Sequence, residues 1–196
     1  MDRETELALV KRLVEGDAAA FDAVYDEYRA RIYSFLVRLS RRRDVAEDLL
    51  AETWLRLAEH AGRLKPDTRL GPWLFTVARN LYYSYCRSRA IEHESAAGLM
   101  GLWSTSVARP SPFEEAAAGE LERRVERALA VMPPLYREVL LLSLVEEMTP
   151  AEMAIVCGVT PENLRQRLLR ARGMLAQELE FGGIRRRSRA LREATV

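Results

Sequence analysis

The segment TPAEMAIVCGVTPENLRQRLLRAR, residues 149–172, holds two helix starts a short distance apart. Thr149, Pro150 and Glu152 take the places of an N-cap, an N1 proline and the N3 glutamate of a capping box. Thr160-Pro161-Glu162-Asn163 repeats the signal. Between them lies Cys157-Gly158-Val159, where Gly158 can adopt the left-handed backbone that a tight inter-helix turn needs. Two short helices on such a turn make a helix-turn-helix. In the second helix Leu164, Leu168, Ala171 and Leu175 fall at i, i+4, i+7 and i+11, a stripe that can pack on the first. The opposite face carries Asn163, Arg165, Gln166, Arg167 and Arg170, followed by Arg172. Arginine and the amide side chains are the groups that pair bidentately with guanine and adenine edges in the major groove. An arginine-rich surface helix is the plainer alternative; the two caps and the turn favour a DNA-reading one.

Outward from this segment, 196 residues give room for one domain or two small ones. The 48% apolar and 30% charged composition suits a helix-rich protein. Net charge is only +1, which excludes a globally basic nucleic-acid binder, yet its distribution is uneven. Residues 1–28 carry a net −5 and residues 160–196 a net +5. Local basic and acidic regions suit a chain that touches DNA in one place and protein in another. Cys86 and Cys157 stand apart with neither metal nor disulfide spacing, and small apolar core roles are expected for both. No signal peptide, lipidation motif or membrane-spanning run is visible, so a cytoplasmic protein without membrane insertion is expected.

The expected architecture is all-α: two small helical domains joined by a flexible linker. Residues 1–90 form the first, with helices over about 5–15, 18–39 (capped by Asp17), 45–60 (a second capping-box pattern from Asp44 and Glu47) and 73–89 (Pro72 at N1). Residues 63–71 form a loop. Residues 91–112 lose periodicity and gather glycine, serine and proline, as linkers do, although Leu99, Met100, Leu102 and Trp103 are apolar enough to dock somewhere. Residues 113–181 form a four-helix second domain, with helices over 113–131 and 135–145 before the helix-turn-helix. Residues 182–196 read as a frayed basic tail.

Two further constellations carry chemistry. Asp44, Glu47, Asp48 and Glu52 crowd acids onto one helix beside Leu49 and Trp54. Metal ligation, catalytic carboxylate pairs, a solvated face and protein docking are all open to such a cluster. The only histidines, His60 and His93, do not supply the Glu-x-x-His pattern of a bundle metal site. An exposed Trp54 would favour docking, because aromatics anchor interfaces. Residues 73–89, WLFTVARNLYYSYCRSR, interleave Trp73, Phe75, Tyr82, Tyr83 and Tyr85 with Arg79, Asn80, Arg87 and Arg89. Stacking faces alternating with phosphate-binding groups are what single-stranded DNA requires. Core packing claims part of this set, and Trp73 and Phe75 cannot face the same side. No nucleophile–base pair, phosphate loop or metal cluster is evident, so neither catalysis nor a small-molecule substrate, cofactor or metal is expected.

These motifs, in this order, resemble the extracytoplasmic-function (ECF) sigma factors of bacterial RNA polymerase over about residues 17–180. DVAEDLLAETWLRL (44–57) resembles the region that grips the polymerase clamp helices, WLFTVARNLYYSYCRSR the region that melts and reads the −10 element, and residues 128–172 the domain that reads the −35 element. The resemblance implies core polymerase contacts at Asp44, Glu47, Asp48, Leu49, Glu52 and Trp54. It implies −10 contacts at Arg63, Lys65, Trp73, Arg79, Asn80, Tyr83, Arg87 and Arg89, with the 62–71 loop holding a flipped base. It implies −35 contacts at Thr160, Asn163, Arg165, Gln166, Arg167 and Arg170, and control by an anti-sigma factor. Ala51 replaces the usual glutamine and Ser84 the usual aspartate, while Ile155 and Val156 are apolar where the family is more polar.

Two rivals remain at this point. A stand-alone helix-turn-helix regulator would dimerise on a palindromic site and need no acidic docking face. A helical adaptor would leave the arginines of 165–172 without a role at a promoter.

Overall fold

The computed structural model describes residues 1–94, 119–145 and 148–193. The linker expected at 91–112, with Leu99, Met100, Leu102 and Trp103, lies outside them from residue 95 onward, as does 113–118 of the helix expected after it. Among the described residues the chain is helical without strands. The helices are α1 (Arg3–Val14), α2 (Ala18–Ser40), α3 (Arg43–His60), α4 (Leu70–Glu94), α5 (Glu120–Val131), α6 (Pro134–Leu142), α7 (Pro150–Cys157) and α8 (Pro161–Glu193), with a 3-10 turn at Ala61–Arg63.

Local chemistry explains most of the boundaries. Asp17 caps α2 by accepting from the Ala19 amide at 2.9 Å. The acid expected to cap α3 does not do so: the N-cap is Arg42, without a side-chain cap bond, and Asp44 sits inside the first turn paired with the Arg42 guanidinium. Helix α4 begins two residues before the expected Pro72. Its first amide, Leu70, donates to the Glu6 carboxylate at 2.8 Å, and Pro72 is tolerated because amides of the first turn have no intrahelical partner. Helix α8 runs on through Gly182-Gly183 to Glu193 where a frayed segment was expected.

The helix-turn-helix is built as its caps require. Thr149 Oγ1 accepts from the Glu152 amide at 3.2 Å while Glu152 accepts from the Thr149 amide at 2.7 Å. Gly158 ends α7 in the left-handed region at φ 64°. Thr160 Oγ1 accepts from the Asn163 amide at 3.2 Å and opens α8. Thr149→Ala is expected to lower stability by about 1 kcal/mol, the usual worth of an N-cap, measured by urea denaturation.

Helix α2 is the axis of the first core. Val24, Tyr28, Ile32, Phe35, Leu36 and Leu39 are buried along it against Leu49 and Leu57 of α3 and Leu74, Phe75 and Ala78 of α4. Phe35 and Phe75 meet edge to face at 5.4 Å. In the second unit Val139, Leu142, Met153, Val156, Cys157, Leu164 and Ala171 close the core between α6, α7 and α8.

The two units pack on one another, α4 against α7 and α2 against α6, through contacts rich in charge. Arg137 and Glu138 of α6 are both buried. Arg137 donates to the Leu39 carbonyl at 2.9 Å and to the Met132 carbonyl at 2.7 Å. Arg38 meets Glu126 at 2.6 Å, and Arg69 bridges Glu6 at 2.9 Å and Glu152 at 3.0 Å. Arg41 closes α2 at φ 60°, a conformation that costs a non-glycine residue about 1–2 kcal/mol, and its guanidinium reaches the Ala130 carbonyl across the contact. Burial and the nearby Arg41 charge push the Arg137 guanidinium down to about 10, still a cation at neutral pH.

Candidate protein-docking and nucleic-acid surfaces

On α3 the apolar phase decides which groups face outward. Val45, Ala46, Leu49, Thr53, Trp54 and Leu57 are buried. Trp54, expected to be exposed, is 7% accessible and wedged between Tyr25 at 4.8 Å and Phe21 at 6.1 Å. Leu49 is likewise in the core. The outer face presents Asp44, Glu47, Asp48 and Ala51 in the open and Glu52 half-buried. Leu55, 50% accessible, supplies its apolar element and was not singled out from sequence. Asp44, Asp48, Ala51 and Leu55 fall at i, i+4, i+7 and i+11, one stripe of the helix. Glu52 pairs with Arg56 at 2.7 Å, which holds its carboxylate at the edge of that stripe.

Helix α4 carries two different polar faces. Trp73, Val77, Asn80 and Ser84, again at i, i+4, i+7 and i+11, line a groove of about 240 Å³ with Leu81 and with Arg56 and His60 of α3. Arg87 donates to Ser84 Oγ at 2.9 Å, so the serine takes the acceptor place that an aspartate would fill. Phe75 is fully buried in the core, while Trp73 is half-buried, packed against the edge of the core and lining the groove. The loop after α3 does not line this groove. It is pinned to α1 instead, with Arg3 donating to the Asp67 carbonyl at 2.8 Å and Glu6 binding Arg69. Arg63 and Lys65 are exposed there, as are Asn80, Arg87 and Arg89 on α4.

The second face of α4 is closed. Arg79 Nε donates to Glu138 Oε2 at 3.0 Å, the Tyr83 hydroxyl donates to the same oxygen at 2.8 Å, and the Arg79 guanidinium lies 4.6 Å over the Tyr83 ring. Burial, with the Glu138 carboxylate beside it, drives the Tyr83 phenol above its usual range, so it remains a donor. The same two causes push the Cys157 thiol up to about 12, an unreactive core thiol; Cys86 is half-buried. Glu138 was not found from sequence. Its signal is an acid next to the apolar run VLLL at 139–142.

On α8, Asn163, Arg165, Gln166 and Arg170 are exposed, with Thr160 just before them. Arg165 pairs with Glu162 at 2.5 Å on the open surface. Arg167 turns inward and comes 3.9 Å from Glu138. Leu169 sits among these arginines at 74% accessible. Of the two apolar departures on α7, Ile155 is 69% accessible and Val156 belongs to the core.

The segmentation has a counterpart in known proteins. Residues 24–91 match the Sigma-70 region 2 family model, and residues 122–175 match Sigma-70 region 4. The ECF RNA polymerase sigma factor SigM of Bacillus subtilis is 30% identical over 79% of this chain and 91% of its own. The RNA polymerase sigma factor CarQ of Myxococcus xanthus is 29% identical over 81% and 88%. The fold is shared with the sigma factor RpoE of Bartonella quintana, solved with the anti-sigma factor NepR. That likeness has a TM-score of 0.66 and 23% identity, over 82% of this chain and 96% of RpoE. An acidic helix face, a polar aromatic helix and a capped helix-turn-helix thus fall inside the two regions that define sigma factors, and the chain belongs to the ECF family of RNA polymerase sigma factors.

Proposed function

We propose a division of labour among three helix faces of this sigma factor. The outer face of α3, with Asp48, Glu52 and Leu55 at its centre, docks on core RNA polymerase. The open face of α4 contacts the −10 strand, and its groove by Trp73, Asn80 and Ser84 takes an unstacked base; extrusion costs a few kcal/mol that stacking and edge hydrogen bonds return. The exposed face of α8, with Arg165, Gln166 and Arg170, enters the −35 major groove while Thr160 and Asn163 lie near its N-terminal end. Trp54 and Leu49 support the docking face from beneath. The factor acts as a specificity subunit in the cytoplasm, where polymerase is, without chemistry of its own.

The observation that carries this reading is the segregation of character: acids and Leu55 outward on α3, arginine and amide groups outward on α8. An anti-sigma factor is the expected regulator, since RpoE was solved with one. Run-off transcription with core polymerase and a pool of promoters tests the whole. Shared −35 and −10 sequences among the transcripts are the expected result. Specific DNA binding without affinity for core enzyme would overturn it.

A narrower test concerns Arg165. If it reads a base, Arg165→Ala costs about 1–3 kcal/mol at the cognate −35 sequence and relaxes preference at one position. A uniform loss across sequences, with a salt slope shallower by about 1, would mark it as a phosphate contact. Fluorescence anisotropy with cognate and mutated duplexes separates the two.

A further inference from the structure

We propose that α1 is a splint for the 61–69 loop and that its Glu6 and Arg3 are positioning residues for −10 recognition. They hold the loop that carries Arg63 and Lys65, and the first turn of α4 that carries Trp73, in the arrangement the strand meets. The proposal rests on the −10 reading of α4 and of the loop before it. Glu6 is a carboxylate only 4% accessible, and both of its oxygens are engaged by the segment that leads into α4. Oε1 accepts from the Leu70 amide at 2.8 Å, while Oε2 pairs with Arg69 at 2.9 Å and accepts from Arg3 at 2.7 Å. Arg3 is the second tie. Its Nη2 donates to the Asp67 carbonyl at 2.8 Å and its Nη1 to the Thr68 carbonyl at 3.4 Å. At its other end α1 packs on the 3-10 turn Ala61–Arg63, where Gly62 lies beside the Val14 carbonyl.

The loop is thus strung along α1 from its Val14 end to its Arg3 end. Residues 61–69 can extend over about 30 Å, whereas α1 is about 18 Å long, so the chain is slack and the ties set its course. Leu64 is the side chain it buries, and Arg63 and Lys65 on either side of that anchor are exposed. A loop ordered inside the factor does not have to be ordered when the strand arrives, and its conformational entropy is not charged against binding. Glu6 also meets α4 at an amide that has no intrahelical partner, where a negative charge suits the helix dipole. Trp73 stands in that first turn, its amide donating to the Arg69 carbonyl at 3.0 Å. The acid therefore acts on the groove through backbone, without touching DNA.

The test uses the full chain, free and with core RNA polymerase. Arg3→Ala removes the carbonyl ties from an exposed position. Glu6→Gln keeps an acceptor for the Leu70 amide while removing the charge that faces Arg3 and Arg69. In the free factor both are expected to speed trypsin cleavage after Arg63 roughly tenfold, since cleavage follows the open population of the loop. Transcription is then read from a promoter pool carrying each single-base change in the −10 and −35 elements. The advantage of the preferred −10 sequence is expected to shrink roughly tenfold, the worth of one charged hydrogen-bonding contact. Sequences that already lack the contact have little to lose, and −35 preference and core binding are expected to hold. Unchanged cleavage would overturn the splint. Faster cleavage with −10 preference intact would overturn the positioning role. A uniform loss over both elements would make Glu6 and Arg3 stabilisers of the fold and overturn it as well. Trp73→Ala is the control for the reading beneath. If it flattens −10 preference and the α1 variants do not, the inference alone fails; if it leaves that preference intact, the −10 reading of the α4 groove fails with it.

Discussion

Asp48→Arg combined with Glu52→Arg is expected to abolish binding of the factor to core RNA polymerase, a loss of roughly 100-fold or more, while leaving its helices and melting temperature nearly unchanged. The size follows from the reversal. An acidic face that fits a basic surface gains from complementarity, and like charges set opposite one another cost several kcal/mol. The small effect on the fold follows from exposure: Asp48 faces solvent, and Glu52 is half-buried with Arg56 as its partner. Placing a cation at 52 beside Arg56 costs a few tenths of a kcal/mol, as like charges at i,i+4 do. Pull-down of purified core enzyme, with the melting temperature taken in parallel, reads both quantities. Unchanged binding would remove α3 as the docking surface. A collapse of the melting temperature would mean that the acids hold the fold.

Leu55 sharpens the same prediction. It stands in register with Asp48 and Ala51, and its exposed side chain is the apolar centre that an otherwise charged stripe lacks. Ala51, small where the family has glutamine, leaves Leu55 more open to a partner. The face proposed for docking is therefore shifted by one residue from the one that the tryptophan suggested.

That shift shows what the sequence could convey. Caps and turns act within a few residues, and Asp17, Thr149, Gly158 and Thr160 declare their helices and the helix-turn-helix without any tertiary information. Helix phase is harder where apolar residues are adjacent. Trp54 and Leu55 both fit a broad stripe with Val45, Leu49 and Leu57, and the choice is made by Phe21 and Tyr25 on another helix. The start of α4 eluded local reading for a related reason: its first amide is satisfied by Glu6, more than sixty residues away. Arg79 and Tyr83 were legible as polar members of an aromatic helix, but that a carboxylate from the second unit sits on them is a property of packing. Buried charges such as Glu6, Arg137 and Glu138 look in sequence like any surface acid or base.

The indole of Trp54 turns that lesson into a measurable contrast. Trp54→Ala is expected to cost about 3–5 kcal/mol of stability, the range for deleting a buried large aromatic. The ring lies between Phe21 and Tyr25 at the junction of α2 and α3, and its removal takes away both ring contacts. Trp54→Phe should cost much less. The buried Nε1–H has no hydrogen-bond partner among the described residues, so phenylalanine removes an unsatisfied donor while keeping most of the edge-to-face contact. The two substitutions also separate support from docking. Trp54→Phe is expected to leave affinity for core polymerase unchanged, whereas Leu55→Asp should weaken it with little effect on stability, because Leu55 is half in solvent already. Urea denaturation and core-enzyme binding on the three variants decide the matter. A Trp54→Phe variant that is fully stable yet fails to bind polymerase would place the indole itself in the interface, and the outward face of α3 would then have to be redrawn around it.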